Sequence, residues 1–318
     1  MHWAIGIDLG GTNIKAAAVD VFGQPFNQVR VPTLVEQGVD GVVEQLAALV
    51  GELCGRVQVG GPPVGIGLGV PGTVDRENGF VVLAPNLKWQ AVPLGELLNR
   101  RYDLQVVFEN DAQAAAIGEH WAGAGKSVRH LLMVTIGTGI GSGLILNGRP
   151  HRGYTGRGPE LGHTKLLLGQ DCLCGCGNTG CMETMASGSA MVRALSGVER
   201  ETGEKTLNKL SSRSIIERSD AGEPLAVKAV ELAMLSLGSA IANLSLALDL
   251  ELVLIGGGVA EAGEYLLTSL REKITGAMFP YAPPRVEKGA LGNWAGAIGA
   301  ARLAFPEDTK VSVRGADL

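Results

Sequence analysis

The stretches "AIGIDLGGTNIKAAAVD" (residues 4–20) and "LLMVTIGTGIGSGLILNG" (residues 131–148) share one pattern: an apolar run, a turn of glycine and threonine, and a second apolar run. Short apolar runs bounded by such turns form strands, so each stretch predicts a hairpin. The first hairpin continues into a polar–apolar run near Val29, which makes a strand meander. A hairpin repeated at two places implies a duplicated unit, one copy in each of two domains. Two copies are too few for a solenoid.

Downstream of the first hairpin, Val39, Val42, Val43, Leu46, Leu49, Val50 and Leu53 recur at helical spacing between about Glu36 and Leu53. They lead into a buried strand over Val64 to Val70. "VVFEND" (106–111) is a strand ending in polar residues, and "AQAAAIGEHWAG" after it is a helix. Pro224 to Leu248 predicts a long apolar-rich helix with its proline in the first turn, feeding the strand in "ELVLIGGGVA". "AGAIGAARLAF" (295–305) is a small-residue helix suited to close packing, and residues 306–318 form a loose tail. Strands alternating with helices place the chain in the α/β class with partly parallel sheets.

Composition bounds the function. A chain of 318 residues exceeds one comfortable core and favours two domains. Glycine, at 47 residues, is used about twice as often as usual, which implies tight turns or backbone lying close to ligands. A net charge of −5 without a basic run argues against a nucleic-acid partner. The N-terminal "MHWAIGID" has no secretory signature, and polar residues or glycines interrupt the apolar stretches before bilayer-spanning length. The expectation is a cytoplasmic protein with reduced thiols and no membrane partner.

Two phosphate fingerprints fail on context. "GLGVPG" (67–72) satisfies G-x-G-x-x-G, but Pro71 and "TVDRENG" announce a turn where a helix is required. "HWAGAGKS" has His120 in place of the first Walker glycine and follows a helix, so it reads as a helix exit. The hairpin tips are better candidates. Gly10, Gly11, Thr12 and Asn13 in one, and Gly137, Thr138, Gly139 and Gly141 in the other, offer backbone N–H groups and hydroxyls to phosphate oxygens without side-chain obstruction. Asp8, at the end of the first strand, is placed to hold the water shell of Mg²⁺. Gly256, Gly257 and Gly258 follow a buried strand and admit the base and ribose of a nucleotide, although a plain turn explains them equally well.

"ENDA" puts Asn110 and Asp111 where a strand yields to a helix. They serve either as helix caps or, for Asp111, as a general base toward a hydroxyl attacking a γ-phosphate, with Asn110 orienting the substrate. Asn86, Glu160, His163 and Glu183 have the donor and acceptor chemistry that a neutral polyol needs. Four of the five cysteines lie between Cys172 and Cys181, just after His163. No C-x-x-C is present, which excludes thioredoxin-type and the usual ferredoxin motifs, and the expected compartment disfavours disulfides. Structural Zn²⁺ fits a set of thiolates and one imidazole, with five candidates for four places. Cys54, on the first helix, reads as a core residue.

Taken in order, "DLGGTNIK", "GVPG", "ENDA", "GTGIG", "PELGH", "CGCGNTGCME" and "LIGGG" resemble the ROK family, the sugar kinases and related repressors of the actin/hexokinase-like superfamily, over residues 4 to about 300. The resemblance implies duplicated actin-like ATPase (ribonuclease H-like) domains with an interdomain cleft. It divides the chain into an N-terminal domain of 1–111 plus about 295–305, a C-terminal domain of 112–294 with a zinc loop at 163–181, and the tail. It implies a homodimer that uses ATP and Mg²⁺ to phosphorylate a hexose at its 6-hydroxyl. Asp111 would be the base, with Gly72, Asn86, Asn110, Asp111, Glu160, His163 and Glu183 on the sugar. "DLGGT" and "GTGIG" would hold the phosphates. The family's cysteine pattern falls on Cys174, Cys176 and Cys181, with His163 as fourth zinc ligand and Cys172 outside it.

Glucose is the expected hexose, with N-acetylmannosamine, N-acetylglucosamine and fructose kinases on the same framework as alternatives. A non-catalytic, sugar-responsive regulator of the family is the alternative from another class. It is disfavoured because the first strand starts at about residue 3, with no helix-turn-helix segment before it.

Overall fold

The computed structural model describes residues 2–57, 60–102, 104–166, 172–202 and 210–306. The expected tail therefore lies almost wholly outside the described residues, as do residues 167–171 of the expected zinc loop. In chain order the strands and helices are β1 (Trp3–Leu9), β2 (Asn13–Asp20), β3 (Pro25–Pro32), α1 (Gly38–Arg56), β4 (Ile66–Val70), β5 (Thr73–Asp75), β6 (Phe80–Ala84), β7 (Trp89–Val92), α2 (Leu94–Asn99), β8 (Val106–Asn110) and α3 (Asp111–Ala122). They continue with β9 (Leu131–Ile136), β10 (Ile140–Leu146), β11 (Arg149–Pro150), α4 (Glu183–Ala186), α5 (Gly188–Thr202), α6 (Ser212–Asp220), α7 (Pro224–Leu248), β12 (Leu252–Gly256), α8 (Glu264–Met278), β13 (Arg285–Lys288) and α9 (Ala295–Ala304).

The chain divides into two compact units, Met1–Lys126 with Arg152–Arg157 and Trp294–Leu318, and Ser127–His151 with Gly158–Asn293. Each contains a five-stranded sheet, and the two sheets have the same plan. The first is ordered β3-β2-β1-β4-β8 and the second β11-β10-β9-β12-β13. In both, the first three strands form an antiparallel meander and the last two run parallel to the first strand. This is the duplicated actin-like arrangement, and the two quoted hairpins are its equivalent opening strands.

Burial explains the strand patterns. β1 has neighbours on both sides and is apolar almost throughout, whereas β3, at an edge, alternates between half-buried and exposed residues. Helix α1 buries Val42, Val43, Leu46, Leu49, Val50 and Leu53, six of the positions that predict it. Helix α7 is long and apolar enough to cross a membrane by length and composition, but 61% of that stretch is buried and it packs against α5, α6 and α8 as a core helix. A small sheet, β5-β6-β7, has no counterpart in the sequence reading. Its strands are three to five residues long and its register shifts at Thr73/Val74, so no clear alternation marks it.

Helix α9 returns from the end of the chain to the first unit. A methyl group on Gly6 or Gly67 would lie 1.9 or 1.7 Å from the carbonyl oxygens of Ala297 and Ala300, and one on Gly299 would lie 1.7 Å from that of Ala114 in α3. The helix thus packs on β1, β4 and α3 at backbone contact, which only glycine permits. This packing also places α3 in the first unit, which extends to Lys126, past the expected break at 111.

Candidate functional site

The first hairpin tip is held by its own strand register. Asp8 on β1 faces Lys15 on β2, and the Lys15 ammonium donates to Asp8 Oδ2 at 3.2 Å. Burial raises the Asp8 carboxyl above the ordinary aspartate pKa, and Lys15 offsets this only in part. Gly10 N donates to Asn13 O (3.0 Å), Thr33 N to Thr12 O (3.0 Å), and Thr33 Oγ1 to Gly10 O (2.6 Å). Arg30 Nε donates to Asn13 Oδ1 at 3.3 Å. Lys15 and Thr33 are absent from the sequence reading. The Asp8–Lys15 pairing was legible in the hairpin register, whereas Thr33 reaches the tip only through the fold of β3.

The cap reading of "ENDA" is seen in its geometry. Asn110 caps α3, its Oδ1 accepting from Ala112 N and Gln113 N at 3.0 Å each, while its Nδ2 donates to Gly72 O at 3.1 Å. Asp111 is the first residue of α3, with Oδ1 2.8 Å from Ala112 N. A methyl group on Gly72 (φ 85°) would lie 2.1 Å from Leu83 O, and one on Gly11 would lie 2.7 Å from Asn86 O. An unbroken path therefore runs through the first unit from Asp111 and Asn110 to Gly72, to Leu83 and Ala84, to Asn86 and to the Gly11 tip.

In the second unit the tip after β9 is built the same way. Gly137 N donates to Gly139 O and Gly188 N to Gly137 O, both at 2.9 Å, while Thr138 is exposed. The middle glycine of the triplet, Gly257 (φ 81°), lies against the end of β9, where a methyl group would be 2.4 Å from Ile136 O. The two glycine-rich turns are thus adjacent. Ser142 Oγ on β10 donates to Pro159 O (3.1 Å) and accepts from Leu161 N (3.0 Å), which fastens the segment carrying Glu160 and His163 to the same hairpin. Glu183 is held there too: its Oε2 accepts from Ile140 N at 2.7 Å, and its Oε1 receives the Cys174 thiol at 3.4 Å. This link between the tip and the cysteines is not disclosed by spacing.

The ligand atoms of His163, Cys174, Cys176 and Cys181 all lie within 4.8 Å of one another. Cys176 Sγ is 3.7 Å from Cys181 Sγ, and Cys174 Sγ is 3.7 Å from His163 Nδ1. Tetrahedral zinc, with Zn–S bonds of about 2.3 Å, sets its sulfurs about 3.8 Å apart, so the donor set fits that ion. His163 Nε2 faces Glu160 Oε2 at 3.8 Å, beyond hydrogen-bond distance. Burial above all pushes the Cys174 thiol up to about 12, with Glu183 adding to the effect. Burial also opposes ionisation of Cys176, but hydrogen bonds from Asn178, Cys174 and Cys181 and the nearby Lys165 charge bring it below the ordinary thiol value. Cys172 stands outside the converging group, and its carbonyl accepts from Gly180 N at 3.1 Å. Cys54 is half-buried at the edge of the first core.

The ROK family profile matches residues 4–307. The chain belongs to the ROK family. It is 36% identical to a glucokinase of Halalkalibacterium halodurans, over 98% of this chain and 97% of that one. It resembles the crystal structure of a ROK family glucokinase from Streptomyces griseus in complex with glucose and AMPPNP, with TM-score 0.83, 32% identity, and 95% and 98% of the two chains covered. It also resembles the ROK hexokinase of Thermus thermophilus, with TM-score 0.80, 36% identity, and 94% and 96% covered.

Proposed function

We propose that this ROK protein is an ATP-dependent hexose kinase that phosphorylates glucose at its 6-hydroxyl. The observation that carries the reading is the continuous path in the first unit from Asp111 through Asn110, Gly72 and Asn86 to the Gly11 tip. It joins a carboxylate suited to general-base work to a backbone suited to phosphate. The resemblance to glucokinases over nearly the whole chain supports the same reading.

In this mechanism Asn86, Asn110 and Gly72 orient the sugar, and Glu160, His163 and Glu183 are further candidates to bind it. Asp111 accepts the hydroxyl proton as the transition state passes, because an alcohol is too weak an acid to lose it earlier. Gly10 to Asn13 and Gly137 to Gly141 hold phosphate oxygens through backbone N–H groups, and Gly256 to Gly258 admit the nucleoside. Mg²⁺, when bound near Asp8, supplies neutralisation of phosphate charge. His163, Cys174, Cys176 and Cys181 would hold Zn²⁺ as a closed structural site with no open position for chemistry.

A coupled ADP-release assay over a panel of hexoses tests the reading, with glucose expected to give the highest kcat/KM. Turnover with no hexose would end it. In Asp111→Ala, glucose affinity should persist while kcat falls by about 10²- to 10⁴-fold, the range a positioned general base contributes.

A further inference from the structure

Glu109 precedes Asn110 on β8 and is 1% exposed, one of two carboxylates this deeply buried among the described residues, with Glu119. Its Oε2 receives Arg152 Nε at 2.8 Å and lies 3.4 Å from Arg76 Nε, while its Oε1 lies 3.2 Å from Asn110 N. Arg76 Nε also donates to Phe108 O at 2.9 Å. One buried carboxylate thus joins three pieces of chain within the first unit: the strand end that carries Asn110 and Asp111, the turn after β5, and the short segment Arg152–Arg157.

A buried ion cluster contributes little net stability compared with well-packed apolar side chains, because desolvation offsets the attraction. Its effect is geometric: Arg76 and Arg152 are only partly buried, with side chains 29% and 25% exposed, but removing Glu109 leaves their two like charges without the carboxylate between them. Here the charge count gives a direction. Two guanidiniums share one carboxylate and already oppose each other, since Arg152 disfavours the charged form of Arg76. Without Glu109 they would repel, and the segment begun by Arg152 would come away from the strand end.

We propose that Glu109 is a positioning residue for the hexose groups of the first unit, Asn110 and Asp111. Its Oε1 accepts from Asn110 N at the strand end that leads into Asp111, and through Arg152 it ties the segment Arg152–Arg157 to that strand end within the first unit. The phosphate tips make no contact with this cluster among the interactions described, so the nucleotide should be held independently of it. The inference rests on the hexose-kinase reading.

The test is steady-state kinetics of Glu109→Gln and Arg152→Gln beside the wild type, with thermal melts on the same samples. Both variants should raise the glucose KM by about tenfold or more while leaving the ATP KM within about twofold. Arg152→Lys, which keeps a cation on the segment, should recover part of the glucose affinity. A cluster that only stabilises the fold would lower the melting temperature and the active fraction and leave the glucose KM unchanged; that result would overturn the proposal. Arg152 lies on a surface segment, so its variants keep the test open if Glu109→Gln fails to fold. A wild type inactive on every hexose would refute the kinase reading instead, whereas an active wild type with unchanged glucose KM in both glutamine variants would refute this inference alone.

Discussion

Asp8 carries a conflict between stability and function in a single side chain. Burial raises its folded pKa above the ordinary value, so between the two values the folded chain holds a proton that the unfolded chain has released. Asp8 therefore favours the fold at low pH, and that contribution is lost as pH rises through the raised pKa. Above it, the fold keeps a desolvated carboxylate that only Lys15 is seen to compensate. Asp8→Asn should flatten this part of the stability profile, measured as urea midpoints against pH, while abolishing turnover. A variant with the wild-type pH dependence would show that Asp8 is not the group responsible. Asp8 was legible from its place at the end of an apolar strand. Its burial was not, because that depends on α9, where a methyl group on Gly296 would lie 2.9 Å from Asp8 Cγ.

Among the elements, the hairpin after β9 gathers the second unit's candidate groups. Gly257 lies against its first strand, Ser142 holds the segment before Glu160, and Glu183 reaches its backbone from the cysteine cluster. The cysteine–histidine cluster is therefore joined to the glycine tip after β9 through Glu183 and Cys174. Stripping the metal with a chelator should weaken glucose binding by about tenfold or more, as loss of groups that orient a site commonly does. Calorimetry on the metal-free protein checks this, and unchanged affinity in a folded sample would separate the cluster from the sugar. Motif spacing sufficed to find the cysteines. The ligand atoms of Cys174, Cys176, Cys181 and His163 converge, and Cys172 stays outside them.

At the scale of the molecule, the first unit is completed by a helix from the far end of the chain. The glycines beneath α9 are positions of backbone contact, and their substitution should be felt throughout the unit. Gly67→Ala must displace the Ala300 carbonyl and should cost about 3 kcal/mol or more, at the upper end of overpacking penalties. Gly51→Ala, in the middle of α1 with open space around it, should instead stabilise by about 0.5–1 kcal/mol. Denaturant unfolding of the two variants provides the comparison; equal effects would mean that the seam is looser than these distances imply. Composition marked α9 as a close-packing helix and the family resemblance placed it with the first domain, but its backbone contacts with β1, β4 and α3 became visible only in the fold.

The amino-acid sequence by itself determined the paired hairpins, the long helices, the glycine tips, the acid at 111 and the cysteine pattern. These are local properties, set by periodicity, turn chemistry and the spacing of reactive groups. Tertiary structure alone decided that the two sheets share one strand order, that Asn110 is tied to Gly72, that Glu183 joins tip to cluster, and that Glu109 is shared between two arginines. Each of those depends on segments far apart in the chain being brought within bonding distance by burial of apolar surface, which leaves no trace in local spacing.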